Sequence, residues 1–228
     1  MEESKVLMVF GPLHITDTVV STWGVMIVLM LLSIVFTRGL KTETPSRIQV
    51  ILESTVSLIE TLIADILPDQ SRKLVPFIGT LWLFLVVANL MGLIPGLHSP
   101  TGNLSITAAL AIVVFLSVHW YGIRYDGFKN YLRHYLSPTP LMLPFHLISE
   151  VTRTLALAIR LFGNIASLEM AALLVLLVAG FLVPIPLLLL HVVEALVQAY
   201  IFGMLALVYI AGGIQTQQQH KDKKEKSS

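Results

Sequence analysis

Residues 141–182 read LMLPFHLISEVTRTLALAIRLFGNIASLEMAALLVLLVAGFL, and Arg160 stands in the middle of this almost wholly apolar stretch with no basic neighbour nearer than Arg153. A guanidinium cannot be neutralised in a protein, and a charge at membrane depth is costly. It persists there only if it faces a carboxylate, water or a partner subunit. No proline interrupts the run between Pro144 and Pro184. About 40 helical residues rise about 60 Å, twice the roughly 30 Å of a hydrocarbon core. Such a helix must tilt steeply, break, or lie partly along an interface. A steep tilt is costly against lipid alone and is better supported by packing against a large curved protein partner.

The rest of the chain agrees with a membrane setting. Of 228 residues 55% are hydrophobic and only 13% charged, too apolar a balance for a soluble domain. Three simpler apolar runs, at residues 18–37, 74–94 and 104–122, match the roughly 20 residues a crossing needs, and a second long segment follows at 187–212. Residues 46–67 instead repeat at helical spacing. Ile51, Leu58, Leu62 and Ile66 share one face, and Glu53, Ser57, Glu60 and Ala64 the other, as in an interfacial or partner-covered helix ended by Pro68. The fold class expected is therefore all-α: a polytopic membrane helix bundle in one domain, with five crossings, one amphipathic interfacial helix and two long C-terminal helices. The polar tail at 215–228 has the composition of a disordered segment.

Basic residues set the orientation. Arg38, Lys41 and Arg47 follow the first run, Arg72 and Lys73 precede the second, and Arg124, Lys129 and Arg133 follow the third. Lys221, Lys223, Lys224 and Lys226 lie in the tail, and only Lys5 falls on the other side. The positive-inside rule then puts the N-terminus outside and the C-terminus in the cytoplasm, as in a multi-pass protein of a bacterial plasma membrane. The first run lacks a basic leader and a small-residue cleavage site, which favours a retained span. Net charge is +1, and the basic residues form no aromatic-interleaved surface, which argues against a nucleic-acid partner; the tail lysines suit anionic membrane lipid. With no cysteine, disulfides, thiolate nucleophiles and thiolate metal sites are excluded. No glycine-rich phosphate loop occurs, so neither nucleotide chemistry nor a cofactor is expected.

Polar residues at depth mark two regions. Asn164 stands one turn beyond Arg160 on the same face, whereas Glu169, nine residues on, falls about half a turn around and nearer the outer end. In the last segment His191, Glu194 and Gln198 occupy i, i+3 and i+7 and share a face. By depth, Glu169, His191 and Glu194 can line one hydrated pocket open to the outside, with Gln198 level with Arg160. Toward the cytoplasm, His146, Ser149, Glu150 and Arg153 form a second polar cluster. Two half-depth polar paths separated by a fixed arginine are what ion transfer to a moving carrier requires. Blander readings compete. His191 could be a packed core histidine, although ionisable residues inside a membrane are usually functional. Asn164 and Gln198 could be interhelical hydrogen-bond glue. His191 and Glu194 also have His-x-x-Glu metal spacing, but one copy is a weak signal and no metal is expected.

The run Arg160-Leu161-Phe162-Gly163-Asn164, with Glu169 beyond it and Gln198-Ala199-Tyr200-Ile201-Phe202 after His191, resembles the a subunit of F-type rotary ATP synthases. Asn89 in the second run, the Pro95 loop, the order of crossings and the interfacial helix fit too, so the resemblance covers nearly the whole chain. It implies that Arg160 is the essential stator arginine facing the carboxylates of the rotating c-ring. It also implies that Gln198 lies beside it and that Glu169 and His191 line the outer half-channel. The two long C-terminal helices would be tilted against the ring. Further partners would be b-type peripheral stalk subunits and, through the complex, the soluble F1 ATPase. The family commonly has a proline and serines just before the arginine; here stand Thr154, Ala156 and Ala158. Residues 149–158 are similar to the bacterial N-type branch, thought to carry sodium.

The expected function is a stator subunit, not catalytic alone, passing H⁺ or Na⁺ to and from the c-ring through two offset half-channels. One alternative is a self-contained ion channel or secondary transporter, but paired inverted repeats and broken helices are lacking. Another is an intramembrane metallohydrolase, which would need ligands beyond His191 and Glu194. Of the other histidines only His119 and His146 lie near a span.

Overall fold

Only a helix satisfies its own backbone hydrogen bonds within lipid. In the computed structural model of this chain, five helices are long and apolar enough to cross a membrane. The structure describes residues 6–10, 13–38, 46–94, 97, 99–127, 143–179 and 184–225; the side chains of His146 and Glu169 lie outside what is described. The helices are α1 (Asp17–Thr37), α2 (Arg47–Ala64), α3 (Ser71–Met91), α4 (Leu104–Asp126), α5 (Leu143–Ala179) and α6 (Pro184–Glu225). This is an all-α multi-pass membrane bundle. A short antiparallel hairpin of β1 (Val6–Phe10) and β2 (Leu13–Thr16) precedes α1, a local addition that hydropathy did not reveal.

The boundaries have chemical causes. The Ser46 hydroxyl caps α2 by accepting from the Gln49 amide at 3.2 Å, and Asn103 caps α4 by accepting from the Ser105 amide at 2.9 Å. Gly127, with φ of 80°, ends α4 in a conformation that other residues resist. α5 runs unbroken for 37 residues, about 55 Å, so of the three ways to fit it into a bilayer a break is set aside. α6 starts on Pro184, whose missing N–H costs nothing in a first turn, and continues to Glu225. The polar tail from Gln215 thus prolongs the helix at least to that point. Its Gln, Lys and Glu residues are good helix formers, and the preceding turns remove the nucleation cost.

The core lies where α3, α4, α5 and α6 meet. Leu74, Ile78, Leu81 and Leu85 of α3 pack with Phe202, Leu207 and Ile210 of α6, while Leu157 and Leu161 of α5 and Val114 of α4 close the centre. Ala195, Ala199, Ala206 and Ala211 let the α6 backbone approach its neighbours closely. Gly203 lies against the Trp82 ring, whose Nε1 donates to the Tyr200 carbonyl at 3.3 Å and whose rings stack on Tyr200 at 6.1 Å. Asn89 is fully buried. It donates to the Ala195 carbonyl at 3.1 Å and accepts from the Thr101 hydroxyl at 2.7 Å, so the turn at Pro100–Gly102 is tied into the bundle. Against this core α2 presents Ile59 and Ile63, leaving Ile51 and Leu58 exposed. Only part of its apolar stripe is taken up by the bundle.

Candidate functional site

α5 places its buried side, Leu157, Ala158, Leu161, Ile165 and Leu168, against the bundle. This rotation turns Arg160 outward beside the exposed Leu155 and Ile159. No hydrogen bond or ion pair joins Arg160 to another described residue. One turn further, Asn164 Nδ2 donates to Gln198 Oε1 at 2.7 Å, which brings α5 and α6 together at the level of the arginine.

Gln198 is the inner end of a polar strip along α6. It is 1% exposed, and its Nε2 has no hydrogen-bond partner among the described residues. His191, seven residues and about 10 Å earlier, is 3% exposed, and its Nε2 likewise has no partner among the described residues. Glu194 is half-buried between them. Buried polar atoms are nearly always satisfied by protein or ordered water, so two such atoms on one face of a helix leave hydrogen-bonding capacity there for water or another polar group. Glu169 sits on α5 about half a turn from Arg160 by helical phase, and its side chain is outside the described set. Asn89 belongs to the packing network that fixes Ala195, next to Glu194, and is not itself open to the strip.

On the other side of Arg160, Ser149 is exposed and Glu150 is half-buried. Oε2 of Glu150 lies 3.4 Å from Nε2 of His119 on α4. Arg153 is drawn away from this cluster, its guanidinium 5.3 Å over the Tyr209 ring. His119, which the sequence offers only as a possible metal ligand, is the polar residue at this level that sequence reasoning misses. No spacing rule links α4 to α5, and only the fold brings the two side chains together. Among the described residues no three His, Cys, Asp or Glu side chains converge as a metal site would require.

Fold and site together define a multi-pass membrane protein that keeps ionisable and amide groups at membrane depth on two adjoining helices, an expensive arrangement that marks ion pathways. Comparison with known proteins gives the family. The model of the ATP synthase A chain matches residues 19–211. ATP synthase subunit a 1 of Hahella chejuensis is 62% identical over 205 residues, covering 90% of this chain and 87% of its own. ATP synthase subunit a 2 of Pelobacter propionicus is 56% identical over 228 residues and matches the full length of both chains. Subunit a of Legionella pneumophila is 57% identical over 205 residues, with 90% and 89% covered. The chain belongs to the ATP synthase A chain family, the a subunits of the F-type membrane sector.

Proposed function

We propose that this stator subunit passes H⁺ or Na⁺ between each side of the membrane and the c-ring carboxylates through two half-channels offset across Arg160. Family membership makes it a non-catalytic, ion-translocating subunit working within the F-type complex with the c-ring and other subunits. The observation that carries the finer reading is the outward-facing Arg160, joined by no ion pair to a described residue, between the buried polar strip of α6 and a separate polar cluster. Glu169, His191 and Glu194 form the outer path, and His146, Ser149 and Glu150 the inner one. Asn164 and Gln198 hold the helices level with the arginine. The basic loops put the N-terminus outside and the C-terminus in the cytoplasm of a bacterial plasma membrane. The exposed stripe of α2 and the little-buried α1 leave room for lipid and for b-type peripheral stalk subunits, through which the F1 sector is held.

The chemistry is electrostatic. A ring carboxylate within about 4 Å of Arg160 gains about 4 kcal/mol at an effective dielectric near 20, which favours its ionised form about a thousandfold. The carboxyl therefore releases its ion on approaching the arginine and must move on to rebind another. The same fixed charge repels a cation that would pass directly between the two paths. A tilt of α5 lets one helix serve both, since about 30 residues rising about 45 Å fit a 30 Å core only at roughly 50° from the normal. Replacing Arg160 by alanine tests the reading. The complex should assemble, because Arg160 is exposed and no hydrogen bond or ion pair ties it to a described residue, yet ion-driven ATP synthesis should vanish. Lysine should substitute poorly, being a point charge that can lose its proton. Near wild-type coupled synthesis by assembled Arg160→Ala complexes would refute it.

A further inference from the structure

A polar contact joins α5 to α6 on each side of the level of Arg160. On the outer side Asn164 Nδ2 donates to Gln198 Oε1 at 2.7 Å. On the inner side the Arg153 guanidinium carbon lies 5.3 Å from the centroid of the Tyr209 ring. The partners occur in reversed order on the two helices, which therefore run antiparallel, and both spacings are 11 residues, 164 − 153 on α5 and 209 − 198 on α6. Eleven residues close three turns to within about 20° and rise about 16 Å. The two contacts thus lie on one edge of each helix, and the register is the same at both. Arg160 stands on that edge too, four residues from Asn164 and seven from Arg153. Between the contacts α5 buries Leu157, Ala158 and Leu161 and α6 buries Ala199, Phe202 and Ala206, each at most 6% exposed, in the common core. Such an apolar seam blocks an ion only while it stays closed, because an ion needs water or polar groups in place of its hydration shell.

We infer that Arg153 and Tyr209 are positioning residues that hold the inner end of the α5–α6 seam closed, as Asn164 and Gln198 hold its outer end. Packing as well as the Arg160 charge then bars direct passage between the two ion paths. The inference rests on the two-path reading of this chain. Arg153 is exposed at the edge of α5 and Tyr209 is half-buried on α6. The guanidinium is drawn to the negative face of the ring, an attraction that needs the aromatic face and not the hydroxyl. An attraction of this type shifts an equilibrium about fivefold at an exposed site and about thirtyfold when desolvated. Arg153 shares the edge of Arg160, so a ring packed on that edge shields the contact further. Without the contact the seam should open about five to thirty times as often, and an ion leak through it should rise by the same factor.

The test uses whole ATP synthase in liposomes. A gradient of the ion that the wild-type enzyme pumps is imposed without nucleotide, and its passive decay is corrected for protein-free liposomes and normalised to assembled complex. Tyr209→Leu removes the ring but leaves the Arg153 charge. Its decay should quicken about five- to thirtyfold, with fewer ions pumped per ATP hydrolysed. Arg153→Gln should do the same, and the double variant should leak no more than the leakier single one, because either loss breaks the same contact. Tyr209→Phe keeps the aromatic face and should stay as tight as wild type. Wild-type decay in assembled Tyr209→Leu complexes overturns the inference. So do Tyr209→Phe complexes that leak as Tyr209→Leu does, or leaks that multiply in the double variant. If Tyr209→Leu complexes fail to assemble, Arg153→Gln decides alone, since Arg153 is exposed and its replacement spares the core: wild-type decay there refutes the contact. Arg160→Ala keeps the two failures apart. Coupled synthesis retained there overturns the two-path reading and this inference with it, whereas coupled synthesis lost there beside a tight Tyr209→Leu complex overturns the inference alone.

Discussion

Gly203→Ala probes how the helix carrying Gln198 is fixed against the rest of the bundle. A Cβ built on Gly203 would fall inside the Trp82 indole, nearest its Nε1, Cδ1 and Cε2. Trp82 is itself buried, 7% exposed. To make room it must leave the Tyr200 ring and its hydrogen bond to the Tyr200 carbonyl, or α3 and α6 must separate. Overpacking costs about 1–3 kcal/mol, a lost hydrogen bond about 1 kcal/mol and a lost aromatic pair about 0.5–1.5 kcal/mol. One displacement causes all three, so the terms overlap and the total should be about 2–4 kcal/mol, roughly a 30- to 700-fold shift in an equilibrium constant. The assay is retention of subunit a by the detergent-solubilised complex over a temperature series. Gly24→Ala is the control, since nothing lies within 4 Å of a Cβ there and helix propensity favours the change. Trp82→Leu, by removing the ring, should make the double variant with Gly203→Ala less unstable than the sum of the single ones. Retention of Gly203→Ala equal to wild type at every temperature would refute the packing argument.

The absence of native cysteines makes thiol chemistry clean. Cysteines at Asn164 and Gln198 should join through a short bis-thiosulfonate reagent because the native side chains meet at 2.7 Å. A pair at Leu161 and Gln198 should also react, while Ser149 with Gln198 should not; failure of both crossing pairs would disprove this helix crossing. For sidedness, Glu194→Cys should label with a water-soluble reagent applied from outside and Ser149→Cys from inside. Equal labelling of both from the same side would mean one continuous pore instead of two half-channels.

Several features were legible along the chain because they depend only on local hydropathy and charge. The apolar runs required helices once lipid was the solvent, and Arg160 in the middle of one required a special environment. The shared face of His191, Glu194 and Gln198 followed from the helical period. What lay outside that reach depends on how helices rotate and lean against one another. Whether the long segment breaks could not be told from the absence of proline; in the structure α5 is continuous. The apolar stripe of α2 gave no sign that Ile59 and Ile63 would face the bundle while Ile51 and Leu58 stayed outside. Asn89 entered only through the family resemblance, and its partners, Thr101 and the Ala195 carbonyl, come from a distant turn and another helix. His119 and Glu150, and likewise Asn164 and Gln198, lie on different helices. Periodicity assigns each residue a face on its own helix, but only the packing of small residues, such as Gly203 beneath Trp82, sets which faces meet and at what height.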